Sequence, residues 1–225
     1  MSEFEAVLFD MDGVTVETAA IWRGLEESKV LPAAVVDDPP IEEIRALSVA
    51  DAYDRLAELD GVELTVSAAE FASLYEQQAA EVYNDRATLM EGYVDLLTEI
   101  RADGRATGLV SASRRDWVEM VLDRFDLHDL YDVVISSSDF EGPSKPDPKT
   151  YLVAANRLDI QPHTCLVVED SPHGIEAAVE AGMYCIALRG AGNTTNDLST
   201  ADRIVESAHE LHSVLSEMGL IGAAQ

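Results

Sequence analysis

The stretch VLFDMDGVTVET, residues 7–18, runs an apolar segment into two acids one position apart, Asp10 and Asp12, and then straight into Gly13. The apolar part is short and unbroken, as expected of a strand buried on both faces. Gly13 then lets the chain turn. Two carboxylates at that spacing repel one another unless both face open water or a cation sits between them. The stretch therefore predicts a first strand that ends in a charged site.

Working outward, similar apolar runs recur: AVLFD (6–10), ATGLVS (106–111), DVVISS (132–137), TCLVVED (164–170) and MYCIAL (183–188). Amphipathic helical patterns separate the later ones: GYVDLLTEIRADG (92–104), RDWVEMVLDRFDL (115–127), KTYLVAANRLDI (149–160) and PHGIEAAVEAG (172–182). Strands alternating with helices of this length predict an α/β fold, a parallel sheet covered by helices on both faces. Gly104 and Gly182 stand where C-cap glycines are expected. The rhythm fails over residues 15–88, where helical spacing runs through IEEIRALSVADAYDRLAEL (41–59) and SAAEFASLYEQQAAEVYNDR (67–86). Ser67 and Glu70 have capping-box spacing, and Pro32 and DDPP (37–40) predict breaks between helices. The expected organisation is a core made of residues 1–14 and 89–225, with a small helical domain, 15–88, inserted after the first strand. The tail SAHELHSVLSEMGLIGAAQ reads as one more helix and a loose end.

With 225 residues and 47% hydrophobic content the chain can bury a sizeable core. No apolar window is long enough for a membrane span, and the N-terminus lacks the pattern of a secretory signal. Cys165 and Cys185 sit in apolar runs and read as reduced core thiols of a cytoplasmic protein. The formal net charge of −28 argues against nucleic acid and anionic membranes as partners. Lysine occurs only at Lys29, Lys145 and Lys149. An acid-coated, lysine-poor surface resembles that of proteins from salt-loving cells, where dense salt screens self-repulsion. In such a chain each lysine invites explanation.

In a parallel sheet, ligands bind beyond the carboxyl ends of the strands. Asp10 and Asp12 follow the first strand. Ser111 and Ser113 end the second, ahead of Arg114 and Arg115. Lys145 lies in the loop GPSKPDP, and Glu169 and Asp170 end the run before SPHGI. Acids on neighbouring strand ends make an all-oxygen pocket suited to Mg²⁺. Ser111 and the following helix start offer donors to phosphate oxygens, and Lys145 supplies a fixed positive charge. One aspartate can attack phosphorus while the other moves the proton.

DMDGV, SAS after a strand, SKPDP and VVEDSPHGIEAAVEAGM together resemble the four ordered motifs of the haloacid dehalogenase-like hydrolases. The helical-cap subgroup, with phosphoglycolate phosphatases and beta-phosphoglucomutase, is the most similar. The resemblance implies a Rossmann-like core and a cap that closes over substrate. It implies Asp10 as nucleophile, Asp12 as general acid/base, and phosphate held by Ser111, Ala112, Lys145 and Gly13. It puts Mg²⁺ on Asp10, the Asp12 carbonyl and Asp170, with Glu169 alongside. The implied activity is hydrolysis of a small phosphorylated metabolite through an aspartyl-phosphate, by a monomer or homodimer. A phosphosugar mutase is the alternative, but Trp22 and Val49 stand where its histidine and arginine would fall. A catalytically idle relative serving as a binding module is a further alternative, and a receiver domain is disfavoured by the chain's length and helical insert. Asp12 argues against dehalogenation, and with Lys29 the sole lysine of the cap interval, phosphonate cleavage through a Schiff base is disfavoured.

Other features are read more plainly. GAGN (190–193) lacks dinucleotide-fingerprint spacing and reads as a turn. His173, and the pair His209 and His212, read as solvated helix residues, and Asp147 as a helix cap. Trp22, Arg23 and Arg45 in the cap read as core and salt-bridged surface ahead of substrate contacts.

Overall fold

The computed structural model describes residues 4–36, 41–44, 47–190 and 192–222. Among these residues six strands form one parallel sheet: β1 (Ala6–Phe9), β2 (Ala106–Val110), β3 (Val133–Ile135), β4 (Cys165–Glu169), β5 (Tyr184–Leu188) and β6 (Arg203–Val205). Their order is β3-β2-β1-β4-β5-β6. The order reverses between β1 and β4, so the ends of those two strands flank the crevice where a ligand site is expected. The sequence-predicted strands are all present, each trimmed by one to three residues. The sixth, β6, was not expected: RIV is too short for periodicity to reveal.

Alternate strand residues point to opposite faces, and each face has its own core. Val7, Phe9, Leu109, Leu166, Val168 and Ile186 pack with α5 (Tyr93–Ala102), α6 (Arg115–Phe125) and α9 (Ala208–Glu217). Ala6, Leu8, Val110, Val167 and Cys185 pack with α7 (Lys149–Leu158) and α8 (Pro172–Glu180). Each buried Leu, Ile or Val contributes roughly 1.5–3 kcal/mol by leaving water. The two cysteines are buried free thiols. Gly104 and Gly182 both adopt positive φ past their helices, as the sequence predicts. The tail is not loose throughout, because Leu220 and Ile221 are buried against the first of these cores.

Between β1 and α5 the chain is mainly helical, with α1 (Ala19–Leu25), α2 (Leu31–Ala34), α3 (Val49–Glu58) and α4 (Ala68–Ala80). Ser67 and Glu70 close the predicted capping box at the start of α4. Pro32 does not break the helix. Residues 19–34 run on as helix because a π-turn over Glu26–Val30 lies between α1 and α2, with Leu31 N–H bonding Glu26 carbonyl. A proline near the start of the α2 segment is then tolerated. The expected break at 37–40, and Arg45, lie outside the described residues. No helix of the described residues is long and apolar enough to cross a membrane.

Candidate active site

Asp10 follows directly on β1 and is 7% exposed. Its Oδ1 accepts a hydrogen bond from Lys145 Nζ at 2.5 Å. The same ammonium donates to Glu169 Oε1 at 2.6 Å and to Val110 carbonyl at 3.2 Å. All three protons are therefore used, and Lys145 is 1% exposed. The other two lysines lie on the surface, beside Glu81 and the Glu141 carbonyl. Burial alone would lower the Lys145 ammonium, but Asp10 and Glu169 raise it above its ordinary value. It stays charged.

Burial pushes the Asp10 carboxyl up to about 7, against the pull of Lys145 and with a further push from Glu169 and Asp12. For Glu169 burial acts in the same direction, but Lys145 and its hydrogen bonds bring it below the usual carboxylate range. Those bonds occupy both its oxygens. Tyr151 Oη donates to Oε1 at 2.8 Å, and the Asp170 and Ser171 N–H groups donate to Oε2 at 2.9 and 3.2 Å. Ser171 also caps α8 by accepting from Gly174 N–H at 3.0 Å. Gly174 is required there: a Cβ would fall 1.9 Å from Glu169 Oε1. Gly174→Ala is expected to destabilise the fold by about 1–3 kcal/mol through overpacking. Its turnover should fall with it as Glu169 leaves Lys145. Thermal melts and kcat check this, and a variant matching wild type in both would contradict it.

Asp12 turns the other way, under the helical insert. Thr18 Oγ1 donates to its Oδ1 at 2.5 Å, Ser113 Oγ to Oδ2 at 3.0 Å, and Tyr83 Oη lies 3.0 and 3.2 Å from the two oxygens. Burial raises the Asp12 carboxyl, partly offset by these hydroxyls. A raised carboxyl suits proton donation. Thr18 precedes α1 without capping it, because its hydroxyl is spent on Asp12.

Asp10, Glu169 and Asp170 each offer a carboxylate oxygen, all within 4.8 Å of one another. Such hard oxygen donors fit Mg²⁺. The Asp12 carboxylate is not among them. Asp170 is steadied by Asn193, whose Nδ2 donates to its carbonyl at 2.7 Å. Gly13, expected at the phosphate, is not brought to that cavity. At φ +101° it lies against Asp170, where a Cβ would come within 2.2 Å of Oδ2, and its N–H donates to Val16 carbonyl at 2.8 Å.

A cavity of about 130 Å³ opens above this floor. Asp10, Asp12, Ser111, Ala112, Lys145 and Asp170 line it below, and Trp22, Arg23 and Val49 above. Ser111 is 1% exposed and its Oγ accepts from Ser113 N–H at 3.0 Å. Arg114 pairs with Glu76 and Asp116 and Arg115 with Asp139 and Glu119. Asp147 stands one residue before Pro148, the N-cap of α7, and accepts from Lys149 N–H at 2.9 Å. His173 is half-buried in the first turn of α8 rather than exposed. His209 is exposed and His212 meets Glu99.

The insert also touches the lysine loop. Ser48 and Asp51, at the N-terminus of α3, hold Ser144: its Oγ donates to Asp51 Oδ2 at 2.5 Å and its N–H donates to the same oxygen at 3.2 Å. Ser48 N–H donates to Ser144 Oγ at 3.3 Å.

Sequence reasoning passed over Asn193, Tyr83, Thr18 and Tyr151. Only Thr18, in the opening stretch, stands close enough to the acids to have been a signal.

A family model described as haloacid dehalogenase-like hydrolase matches residues 4–182. The chain is 28% identical over 219 residues to validoxylamine A 7'-phosphate phosphatase of Streptomyces hygroscopicus subsp. limoneus, spanning 92% of this chain and 96% of that protein. It is 27% identical over 219 residues to beta-phosphoglucomutase of Bacillus subtilis (strain 168), at 92% and 94% coverage. The structure of CbbY from Rhodobacter sphaeroides in complex with phosphate matches with a TM-score of 0.77 at 24% identity, covering 92% of this chain and 96% of that one. This last likeness concerns the fold.

Proposed function

This chain belongs to the haloacid dehalogenase-like hydrolases, and on that premise we propose that it is a Mg²⁺-dependent phosphatase of small phosphomonoesters, working through an aspartyl-phosphate at Asp10. The observation that carries the reading is the Lys145 contact with Asp10 and Glu169, set beside an Asp12 held by three hydroxyls. Asp10 forms the bond to phosphorus as the ester oxygen leaves, and Asp12 gives that oxygen its proton. Asp12 then takes a proton from water, which hydrolyses the acyl phosphate and frees Asp10. Ser111 holds the phosphoryl oxygens, and Lys145, its protons already shared among Asp10, Glu169 and the Val110 carbonyl, offsets the charge gathered on them. Asp10, Asp170 and the Asp12 carbonyl would hold the Mg²⁺, with Glu169 anchoring Lys145 beside it. A bound Mg²⁺ would neutralise the carboxylates and so admit an anionic substrate. Residues 15–88 serve as the cap and the remainder as the core, in a cytoplasmic protein.

Hydrolysis of p-nitrophenyl phosphate in the presence of Mg²⁺, and its loss on chelation, is the direct test. Because the Asp10 carboxyl is raised to about 7, a proton competes with the cation below that pH. Apparent Mg²⁺ affinity should therefore rise by up to about tenfold per pH unit as pH approaches 7, then level. A flat dependence would count against Asp10 as a ligand. Trp22 and Val49 in the roof favour hydrolysis over mutase chemistry, since neither can bind a second phosphate by charge.

The acid coat supports a salt-adapted host as a separate reading. Melting temperature should climb steadily with KCl as screening relieves self-repulsion; indifference to salt would remove it.

A further inference from the structure

The roof of the cavity differs sharply from its floor. Trp22, Ile44, Leu47, Val49 and Tyr75 present apolar surface there. Trp22 is half-buried and stacks on Trp117, with centroids 5.6 Å apart and planes at 25°. Its Nε1 is tied to Tyr83 Oη at 3.1 Å, which fixes the ring. Among the described residues, every basic side chain lining the cavity already has a carboxylate partner. Lys145 is held by Asp10 and Glu169, Arg23 by Glu27, and Arg114 by Glu76 and Asp116. The roof carboxylate, Glu26, accepts from Tyr75 Oη at 2.9 Å.

With the phosphate on the floor, the alcohol it esterifies must meet this roof. The cavity volume of about 130 Å³ has to hold the phosphate as well, and ~150 Å³ accommodates benzene alone, so the room left for the alcohol is no more than that of about one ring. An uncharged alcohol can lay an apolar face on a fixed indole and lose little on leaving water. A second anionic group would be set against this apolar surface, and Arg23 and Arg114 already share their charge with Glu27, Glu76 and Asp116, so its desolvation would be poorly offset.

We propose that this cavity selects monoesters of uncharged alcohols no larger than about one ring, seated against Trp22, and discriminates against monoesters that carry a second anionic group. The inference rests on the phosphatase reading and narrows it.

The test uses the intact enzyme with Mg²⁺ and three substrates: phenyl phosphate, phosphoglycolate, and the isosteric primary amide of phosphoglycolate. The amide should exceed the acid in kcat/KM by about tenfold or more, and phenyl phosphate should exceed both. Trp22→Ala should lower kcat/KM for phenyl phosphate by about tenfold, and that for the small amide by much less. An acid turned over as well as its amide would overturn the charge discrimination. A Trp22→Ala enzyme unchanged on phenyl phosphate would overturn the seat on the indole. If p-nitrophenyl phosphate is not hydrolysed either, the phosphatase reading itself has failed and this inference falls with it. That outcome is distinct from a working phosphatase that accepts anions.

Discussion

Asp10→Asn is expected to abolish turnover, lowering kcat by about 10⁴-fold or more, the scale seen when a covalent nucleophile is removed. The amide is nearly isosteric with the carboxylate but cannot form the acyl phosphate. It still offers Lys145 a carbonyl oxygen, and Glu169 continues to hold the ammonium from the other side. The variant should therefore fold and melt close to wild type while phosphate release stops. Measuring both matters, because a loss of activity with an intact melt isolates the chemistry. Full turnover by the variant would mean that another group attacks phosphorus.

Lys145→Ala should lower kcat by about 10²–10³-fold, as found when a preorganised charge stabiliser is deleted. Here the structural penalty adds to the chemical one. The ammonium is the common partner of Asp10 and Glu169, both buried. Removing it leaves two carboxylates together out of water, and breaking such a pair costs about 3–5 kcal/mol. The melting temperature should fall accordingly, and falling pH should restore part of it, because protonation relieves the uncompensated charge. A variant that melted like wild type and kept its rate would show that neither carboxylate depends on the lysine.

The sheet was legible because parallel strands buried on both faces must be written as unbroken apolar runs, as in AVLF and CLVVE. The helices over them show their period plainly. What escaped notice was decided by an irregular turn or by partners far away in the chain. Pro32 reads locally as a stop, yet the π-turn before it lets the helix continue. Asn193 sits in a stretch with every mark of a surface turn, and only the fold carries it to the carbonyl of Asp170. Tyr83 belongs to a helical pattern whose apolar face predicts packing; its hydroxyl finds Asp12 because the insert folds back over the sheet. The motif puts Gly13 at the phosphate, and only the fold shows that Asp170 packs where its Cβ would be. The acids, the serine and the lysine could be named from sequence because they end strands or precede helices. Apart from Ser113 and Thr18, which stand beside those strand ends, their hydroxyl and amide supports could not.

The grip of Ser48 and Asp51 on Ser144 makes the helical insert and the lysine segment one mechanical unit. A chimera that exchanged residues 15–88 for those of another enzyme, without bringing matching side chains to meet Ser144, would release the strap next to Lys145. Altering selectivity by transplanting the roof would then disturb the machinery below it, whereas point changes at Trp22 or Val49 would leave that tether in place.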